Sequence, residues 1–366
     1  MSPVAPAVRW TRAAAYRVPT AGPEADGTLA WDSTTIVVVR VEAGDVSGLG
    51  WTYADAACVG LINDVLAPVI DGLPVAAVPR AWQVMQQRIR NLGRPGLVSC
   101  ALSAVDIALW DAASRWLEIP LADLLGRCRD RVEVYGSGGF TSYDDDQLTA
   151  QVQDWTDGRQ LPRVKIKIGE SWGSRQTEDL RRVSLVRTAI GGGVELFVDA
   201  NGGYTVGQAR RMADALADLG VTWFEEPVSS DDLAGLAVVR SSTMIDIAAG
   251  EYGYDLAYFA RMAPVVDCLQ IDVTRCGGYT EWLRAAAVAA AAGLEVSAHC
   301  APNLSAHAGA ATPNFRHIEW FVDHDRIESE LFDGCLDPGG GAVTVPSTGA
   351  GHGLAFRAEA AEPYAI

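Results

Sequence analysis

The chain has 366 residues, which is enough for two domains or for one large barrel with additions. Its net charge of −17 argues against nucleic acid and anionic membranes as partners, because both would be repelled. Hydrophobic residues make up 49% of the chain and charged residues 20%, as in an ordinary globular protein, and no apolar run is bounded as a membrane span.

The cysteines and the N-terminal residues predict a cytoplasmic protein. The seven cysteines are scattered and include no Cys-x-x-Cys pair, which argues against a disulfide framework and against a zinc ribbon. The first ten residues lack the charged start and apolar core of a signal peptide. We therefore expect the chain to work in a reducing cytoplasm.

The N-terminal segment has the pattern of strands followed by helices. Strand-like patterns occupy residues 8–18, 34–42 and 49–53, and helical patterns occupy residues 56–67, 78–89 and 98–116. Residues 19–31 are rich in Pro, Gly and acidic residues, which predicts a mobile loop. An order without strand–helix alternation predicts an α+β domain, which we place at residues 1–128.

Strands and helices alternate from Arg131 onward. Eight strands are predicted, at residues 132–135, 164–168, 195–199, 221–225, 245–250, 268–272, 294–299 and 316–319, with about seven helices between them. Eight such units predict a parallel sheet closed into a (β/α) barrel. The rival is an open doubly wound sheet, for which Gly136-Ser137-Gly138-Gly139 is a weak candidate for a phosphate-binding turn.

Lysine occurs at only two positions in the chain, Lys165 and Lys167, while arginine occurs 27 times. The alternation in Val-Lys-Ile-Lys-Ile predicts a strand with both ammonium groups on one face, which lowers at least one pKa toward neutrality. Lys, unlike Arg, can then act as a general base. The alternative is an edge strand with both lysines in solvent.

Three carboxylates follow neighbouring predicted strands at one period. Asp199, Glu225 and Glu251 are 26 residues apart, twice, so one strand–helix unit separates each from the next. Converging carboxylates require a cation, and an all-oxygen set selects Mg²⁺ or Mn²⁺ over Zn²⁺. Strand alternation predicts that only one of Glu225 and Glu226 points into the barrel mouth. Each carboxylate alone could instead be a helix cap or a loop-end ion pair.

His299 ends the seventh predicted strand and Asp272 ends the sixth. Adjacent strands permit a carboxylate–imidazole hydrogen bond, which fixes the tautomer and raises the pKa of the imidazole. The pair is a candidate second acid/base, although a lone His at a strand end is more often structural.

In combination these motifs resemble the mandelate racemase subgroup of the enolase superfamily. The order is Lys-x-Lys, Asp-Ala-Asn, Glu-Glu-Pro, Gly-Glu, Asp, His and Glu, supported by the helix around Asp106 and by Cys276-Gly277-Gly278. The resemblance implies a modified (β/α)7β TIM-type barrel at residues 129–325. It also implies an α+β capping domain that is completed by the C-terminal segment, residues 326–366.

The resemblance also implies roles for individual residues. Asp199, Glu225 and Glu251 would bind one Mg²⁺, with Asn201 near the metal. Lys167 and the His299–Asp272 pair would be acid/bases on opposite faces, while Lys165 and Glu319 would hold the substrate carboxylate. Substrate choice would lie in loops at residues 19–31 and 48–56, where Trp51 and Tyr53 are candidate contacts or packed aromatics. The stretch Gly48-Leu49-Gly50-Trp51-Thr52-Tyr53 departs from many members, which carry an acidic residue after Gly-x-Gly.

The implied reaction is abstraction of the proton α to a carboxylate through a stabilised enolate. The favoured outcome is dehydration of a sugar acid, an aldonate or aldarate, to a 2-keto-3-deoxy acid, which makes the protein a lyase. Racemisation, epimerisation and cycloisomerisation are alternatives on the same site, and a non-catalytic carboxylate-binding barrel is the alternative outside enzymes. The partner is a small carboxylate, and the resemblance implies a homo-oligomer between dimer and octamer.

Overall fold

The computed structural model describes residues 4–366 and shows a capping domain seated on a closed barrel. Residues 1–3, part of the stretch predicted to lack a signal peptide, lie outside the described residues. The capping domain begins with an antiparallel sheet of strands β1 (Val8–Ala25), β2 (Ala30–Ala43) and β3 (Val46–Tyr53). Its helices are α1 (Ala57–Gly60), a π-helical segment (Leu61–Leu66), α2 (Ala67–Ile70), α3 (Val78–Arg88), α4 (Leu97–Trp116) and α5 (Leu121–Leu125).

Eight parallel strands close the barrel. They are β4 (Arg131–Gly138), β5 (Arg163–Lys167), β6 (Glu195–Asp199), β7 (Val221–Glu225), β8 (Asp246–Ala249), β9 (Cys268–Ile271), β10 (Glu295–Ala298) and β11 (Phe315–Phe321). Each pairs with the next in chain order, and β11 pairs with β4. The predicted barrel is therefore confirmed, and the open-sheet rival is wrong.

Helices cover the outside of the barrel between successive strands. They are α6 (Asp145–Gln153), a π-helical segment (Asp154–Gly158), α7 (Glu170–Gly173), α8 (Gln176–Ile190), α9 (Val206–Asp218), α10 (Leu233–Arg240), α11 (Leu256–Met262), a 3₁₀ turn (Ala263–Val265), α12 (Gly278–Ala291), α13 (Pro302–Ala310) and α14 (Val322–Leu331). Helices α6 and α9 begin with capping boxes at Asp144 and Thr205, which satisfy backbone N–H groups of the first turn.

The C-terminal tail contacts both domains. Its elements are β12 (Phe332–Asp333), β13 (Ala342–Thr344), β14 (Ala355–Phe356), α15 (Ala358–Ala361) and a 3₁₀ turn (Glu362–Tyr364). Strand β13 pairs antiparallel with β4 of the barrel, whereas Ile366 donates its N–H to Ala15 of the capping sheet. The tail thus adds a strand to the barrel as well as returning to the N-terminal domain.

Helix α4 is the core of the capping domain. By length and composition it could cross a membrane, but 89% of its apolar window is buried inside the protein, so it is a core helix. It packs on β3, where a Cβ on Gly48 or Gly50 would collide with the α4 backbone at 2.1 and 2.4 Å. The Gly-x-Gly of β3 therefore serves close packing between sheet and helix.

The segment predicted to be a mobile loop is a β-hairpin. Residues 19–25 extend β1 and residues 30–31 begin β2, with a turn at residues 26–29. Ala25 O accepts from Thr141 N at 2.8 Å and Gly27 O accepts from Trp172 N at 2.9 Å, which ties the turn to the barrel mouth. The prediction was wrong because Pro and Gly mark turns locally, whereas these residues are held by backbone pairing and by the barrel loops.

Candidate active site

The three carboxylates separated by 26 residues meet at the carboxyl end of the barrel. In the register of β5, β6 and β7, Lys167 lies opposite Asp199 and Asp199 lies opposite Glu225. Oxygen atoms of Asp199, Glu225 and Glu251 lie within 4.8 Å of one another, and all three side chains are buried. The parallel sheet thus brings the three predicted metal ligands to one level.

Both lysines point into this carboxylate cluster and are buried. Lys165 Nζ donates to Glu225 and lies 2.7 Å from Glu319 Oε1. Lys167 Nζ donates to Asp199 Oδ2 at 2.5 Å. The two ammonium groups therefore share the inner face of β5, and the edge-strand alternative is wrong.

The charge balance around Lys167 differs from the sequence prediction. Burial is the largest single influence and lowers the pKa of Lys167, as does repulsion from Lys165, but the combined attraction of Asp199, Glu319 and Glu225 exceeds both, so the pKa is raised. The prediction of a lowered lysine pKa was therefore wrong. The alternating strand pattern predicts that the two lysines share a face, but it does not reveal that carboxylates from other strands contact them.

Glu226 also departs from the pattern predicted from the sequence, that of strand alternation. Both Glu225 and Glu226 are buried, and Glu226 has a φ of +39°, a left-handed conformation that is rare outside glycine and breaks strand alternation. Burial, Glu251 and Asp199 raise the pKa of Glu226 well above its usual range. Because the strand ends at Glu225, strand alternation does not decide the direction of Glu226, and the expectation that only one of the two residues points into the mouth stays a prediction.

The residues present fit a divalent cation. Burial, together with repulsion from Asp199 and Glu319, raises the pKa of Glu225 to about 8 against the attraction from Lys165, so a further cation at the cluster would be favourable. Three buried oxygen atoms of these acidic residues and their neighbour Asn201 make no hydrogen bond: Asn201 Oδ1, Glu226 Oε1 and Glu251 Oε2, the last of which lies 3.3 Å from His299 Nε2. An all-oxygen set with unsatisfied acceptors matches the chemistry of Mg²⁺.

The His299–Asp272 pair forms as the adjacent strands suggest. His299 Nδ1 lies 2.7 Å from Asp272 Oδ2, and Thr274 donates its N–H and its hydroxyl to Asp272 Oδ1, both at 2.7 Å. Burial lowers the pKa of His299, but Glu251 and Glu319 outweigh it, so the pKa is raised. The imidazole is thereby oriented with Nε2 free of Asp272, as a general acid requires.

Glu319 joins the two halves of the site. Its Oε1 accepts from Ser137 Oγ at 2.6 Å and faces Lys165, whereas its Oε2 accepts from the Cys300 N–H at 3.3 Å. Burial would raise the pKa of Glu319, but Lys165 and His299 outweigh it and hold the pKa well below its usual range. Glu319 is therefore a carboxylate in this arrangement.

A cavity of about 430 Å³ opens above these groups, between the barrel and the capping domain. From the barrel it is lined by Lys167, Asn201, Glu251, Tyr252, Arg275, His299, Cys300, Glu319, Phe321, Asp323 and His324. From the capping domain it is lined by Asp26, Leu29, Trp31, Ser33, Thr34, Thr35, Tyr53, Ala54 and Asp55.

The two aromatic candidates of β3 lie in different places. Tyr53 lines the cavity, stacks on His324 with ring centroids 3.4 Å apart, and donates its hydroxyl to Glu328 at 3.1 Å. Trp51 does not line the cavity; it is fully buried, stacks on Phe332 and donates to Glu328. Trp51 therefore fits the packed-aromatic alternative.

Several residues of the site were not singled out from the sequence. Arg275 lies 3.1 Å from Glu251 Oε1 and 3.4 Å from Asp272 Oδ2, and its position three after Asp272 was an available signal. Cys300 was marked only by following His299. His324 also lines the cavity, and burial lowers its pKa to about 3.

Comparison with known proteins shows which families the two domains match. Residues 13–126 match the profile of the mandelate racemase / muconate lactonizing enzyme N-terminal domain, and residues 147–361 match the enolase C-terminal domain-like profile. D-galactarolactone cycloisomerase from Agrobacterium fabrum is 32% identical over 92% of this chain and 93% of its own length. 3,6-anhydro-alpha-L-galactonate cycloisomerase from Streptomyces coelicolor is 33% identical over 90% of this chain and 94% of its own length.

Solved structures agree with this relationship. A mandelate racemase/muconate lactonizing enzyme-like protein from Rubrobacter xylanophilus is 46% identical, with a TM-score of 0.96 over 99% of this chain and 100% of its own. A racemase from Streptomyces coelicolor A3(2), solved with bound magnesium, is 30% identical, with a TM-score of 0.92 over 98% of this chain and 100% of its own. The L-talarate/galactarate dehydratase of Salmonella typhimurium, solved with Mg and L-lyxarohydroxamate, is 25% identical, with a TM-score of 0.89 over 99% of this chain and 93% of its own.

Proposed function

This chain belongs to the mandelate racemase/muconate lactonizing enzyme family of the enolase superfamily and is a Mg²⁺-dependent enzyme, and we propose that it dehydrates a sugar acid to a 2-keto-3-deoxy acid. The observation that carries the proposal is the placement of two acid/bases on one cavity. Lys167 on β5 and His299 after β10 both line it, with the carboxylate cluster on the strands between them.

The residues divide the reaction into two proton transfers. Lys167 takes the proton from the carbon α to the substrate carboxylate, once its ammonium group has left Asp199 and lost a proton. His299 gives a proton from Nε2 to the β-hydroxyl, whose C–O bond breaks with the electron pair going to oxygen. The products are water and an enol, which becomes the 2-keto-3-deoxy acid by tautomerisation.

Fixed charges make the first proton transfer feasible. Asp199, Glu225 and Glu251 would hold Mg²⁺, which would supply positive charge to the developing enolate when bound. Lys165 is fully buried between Glu225 and Glu319 and does not line the cavity, so we propose that its positive charge acts on the substrate carboxylate through the low-dielectric interior. Asp272 keeps the imidazole of His299 in the tautomer and orientation that proton donation needs.

The acidic lining of the cavity favours a monocarboxylic sugar acid. Asp26, Asp55 and Asp323 line the cavity, and Asp323 accepts from the Thr34 hydroxyl and forms an ion pair with Arg326. Among residues 4–366, the lining cations Lys167 and Arg275 already contact carboxylates, and no further Lys or Arg lines the cavity. Asp26 and Asp55 form no ion pair within the described residues, so a second substrate carboxylate would meet their negative charge, whereas hydroxyl groups would find acceptors, and we favour an aldonate over an aldarate.

The test is turnover of a panel of aldonates, aldarates and 2-hydroxy acids with Mg²⁺ in D₂O. We expect one or more aldonates to lose water and to exchange the α-proton. The Lys167→Met variant should lose exchange by about 10²- to 10⁴-fold, whereas Arg163→Met, which removes a cation from the other end of β5, should retain it. Inverted configuration without loss of water would replace dehydration by racemisation, and binding without exchange would support a carboxylate-binding protein.

Cycloisomerisation is the second candidate, because two relatives more than 30% identical are named as cycloisomerases. In that reaction His299 would protonate a ring oxygen of a lactone or anhydro sugar acid, and the cleaved ring would stay part of the product. Isomerisation of a cyclic acid without release of water, with no turnover of open-chain aldonates, would select this reaction over dehydration.

A further inference from the structure

We propose that His299, Cys300 and Glu319 form a second metal site, one that takes a thiophilic divalent cation such as Zn²⁺ and blocks the His299 acid when filled. The site shares no ligand with the carboxylate cluster assigned to Mg²⁺ but adjoins it, since Glu251 of that cluster lies 3.3 Å from His299 Nε2. All three side chains are buried, and His299 and Cys300 line the same cavity, so an ion can reach them from the substrate side.

The three donor atoms are spaced like one face of a zinc tetrahedron. Cys300 Sγ lies 3.3 Å from His299 Nε2 and 3.4 Å from Glu319 Oε2, and these last two atoms are 3.6 Å apart. Tetrahedral Zn²⁺ with bonds of about 2.0 Å to N and O and 2.3 Å to S separates its ligands by roughly 3.3–3.6 Å. An ion can therefore cap the triangle with little movement and keep its fourth position toward the cavity.

The imidazole presents the correct nitrogen. His299 Nδ1 is engaged by Asp272 Oδ2 at 2.7 Å, which places a proton on Nδ1 and leaves the lone pair of Nε2 for a metal. Asp272 is itself fixed by two donors from Thr274. A carboxylate that orients a ligating histidine in this way is a common support of zinc sites.

Glu319 can ligate without giving up its other contacts. Its Oε1 holds Ser137 and Lys165, while its Oε2 faces the sulfur and the imidazole. Glu251 Oε2, 3.3 Å from His299 Nε2, adds negative charge beside the triangle. On ligation the thiol proton and the Nε2 proton of the protonated imidazole both pass to solvent, and the resulting thiolate and the Glu319 carboxylate balance the two charges of the ion.

Cys300 gives the two sites different metal preferences. The carboxylate cluster offers only oxygen, which suits Mg²⁺, whereas thiolate and imidazole favour Zn²⁺ and Co²⁺ over Mg²⁺. An ion on Nε2 removes the atom that we assign to proton donation. The protein is therefore expected to be inhibited by Zn²⁺ in the presence of saturating Mg²⁺.

The binding test uses Co²⁺, because thiolate ligation gives a sulfur-to-cobalt charge-transfer band that oxygen ligation does not. Co²⁺ is titrated into the reduced full-length protein in excess Mg²⁺. We expect one equivalent to produce the band, and Zn²⁺ to abolish it by displacement. Cys300→Ser and Cys300→Ala should both lose the band, whereas Cys128→Ser, which removes an exposed thiol elsewhere, should keep it.

The outcomes separate the second metal site from the proposed reaction. A wild-type protein without the band at saturating Co²⁺, or a Cys300→Ser or Cys300→Ala protein that keeps it, overturns the metal site, whatever substrate is turned over. With an active substrate, Cys300→Ser should need at least about tenfold more Zn²⁺ for half inhibition, since even supporting residues of metal sites contribute that much affinity. Retained Mg²⁺ binding by the variants shows that they fold.

Discussion

The imidazole of His299 and the carboxylate of Asp272 lie 2.7 Å apart across two neighbouring barrel strands, and Thr274 anchors the other oxygen of Asp272. Burial raises the pKa of Asp272, but His299 and Arg275 outweigh it, so the net pKa lies below its usual range. Asp272 therefore remains ionised and supports the positive charge of a protonated imidazole.

Replacing Asp272 by Asn should impair the step that needs His299. The amide cannot stabilise an imidazolium and can favour the wrong tautomer, so turnover should fall by about 10²- to 10⁴-fold. Exchange of the α-proton through Lys167 should persist, which gives a measurement by NMR in D₂O that a general loss of structure would not mimic. Equal loss of exchange and turnover would show that Asp272 acts on the whole site.

The parallel barrel explains how much of the site could be predicted. Residues that follow parallel strands reach one level, so the spacing of Asp199, Glu225 and Glu251 was enough to place them together. Strand alternation likewise put Lys165 and Lys167 on one face. Strand spacing and strand alternation are local sequence patterns, and in a parallel barrel they are enough to predict which side chains lie close together.

Features that depend on tertiary contacts could not be predicted from the sequence in the same way. The left-handed backbone of Glu226 follows from how β7 ends, and Cys300, with a φ of +48°, shares this strain after β10. The raised pKa of Lys167 depends on Asp199, 32 residues away in sequence. The hairpin at residues 19–31 depends on barrel loops that a window of sequence does not contain.

Glu225→Gln should weaken Mg²⁺ binding. The amide removes one negative charge and one strong oxygen ligand from the cluster, and we expect affinity to fall by at least about tenfold by calorimetry. Glu195→Gln is the matched control, because Glu195 lies at the opposite end of β6 and forms a partly exposed ion pair with Arg163. Unchanged affinity in Glu225→Gln would mean that the ligand set differs.

Gly27 allows the capping hairpin to reach the barrel. A Cβ at this position would lie 2.7 Å from Ile168 O, 2.8 Å from Gly169 O and 2.9 Å from Ala200 O, at the ends of β5 and β6. These are backbone atoms, which cannot turn aside as a flexible side chain would. Gly22 in the same hairpin has no atom within 4 Å of its would-be Cβ.

Gly27→Ala should therefore displace the turn and open the cavity wall that Asp26 and Trp31 provide. Steady-state kinetics should show a higher KM and a lower kcat, while Mg²⁺ binding and the melting temperature change little. Gly22→Ala should behave like wild type. Equal kinetics for the two variants would show that the hairpin does not shape the substrate cavity.

Asp106 connects the capping domain to the barrel. It lies on α4, is fully buried, and accepts from the N–H and hydroxyl of Thr280 in the first turn of α12, at 3.0 and 2.6 Å. Burial, with a smaller contribution from Glu281, raises the pKa of Asp106 to about 7 although the Thr280 hydrogen bonds lower it. An unfolded aspartate titrates near about 4.

The sign of the resulting pH dependence follows from these two values. Because the folded pKa is the higher one, the folded protein binds the proton more tightly, and its stability from this group is present below about pH 4 and lost as pH rises toward about 7. Asp106→Asn should remove that component, on the order of 2–4 kcal/mol, so its free energy of unfolding should fall less than that of wild type between these values. Urea unfolding across this range measures the difference, with Asp71→Asn, an exposed carboxylate of the same domain, as the control. Parallel pH profiles for wild type and Asp106→Asn would show that Asp106 does not titrate on folding, and that its bonds to Thr280 hold it ionised in the interface.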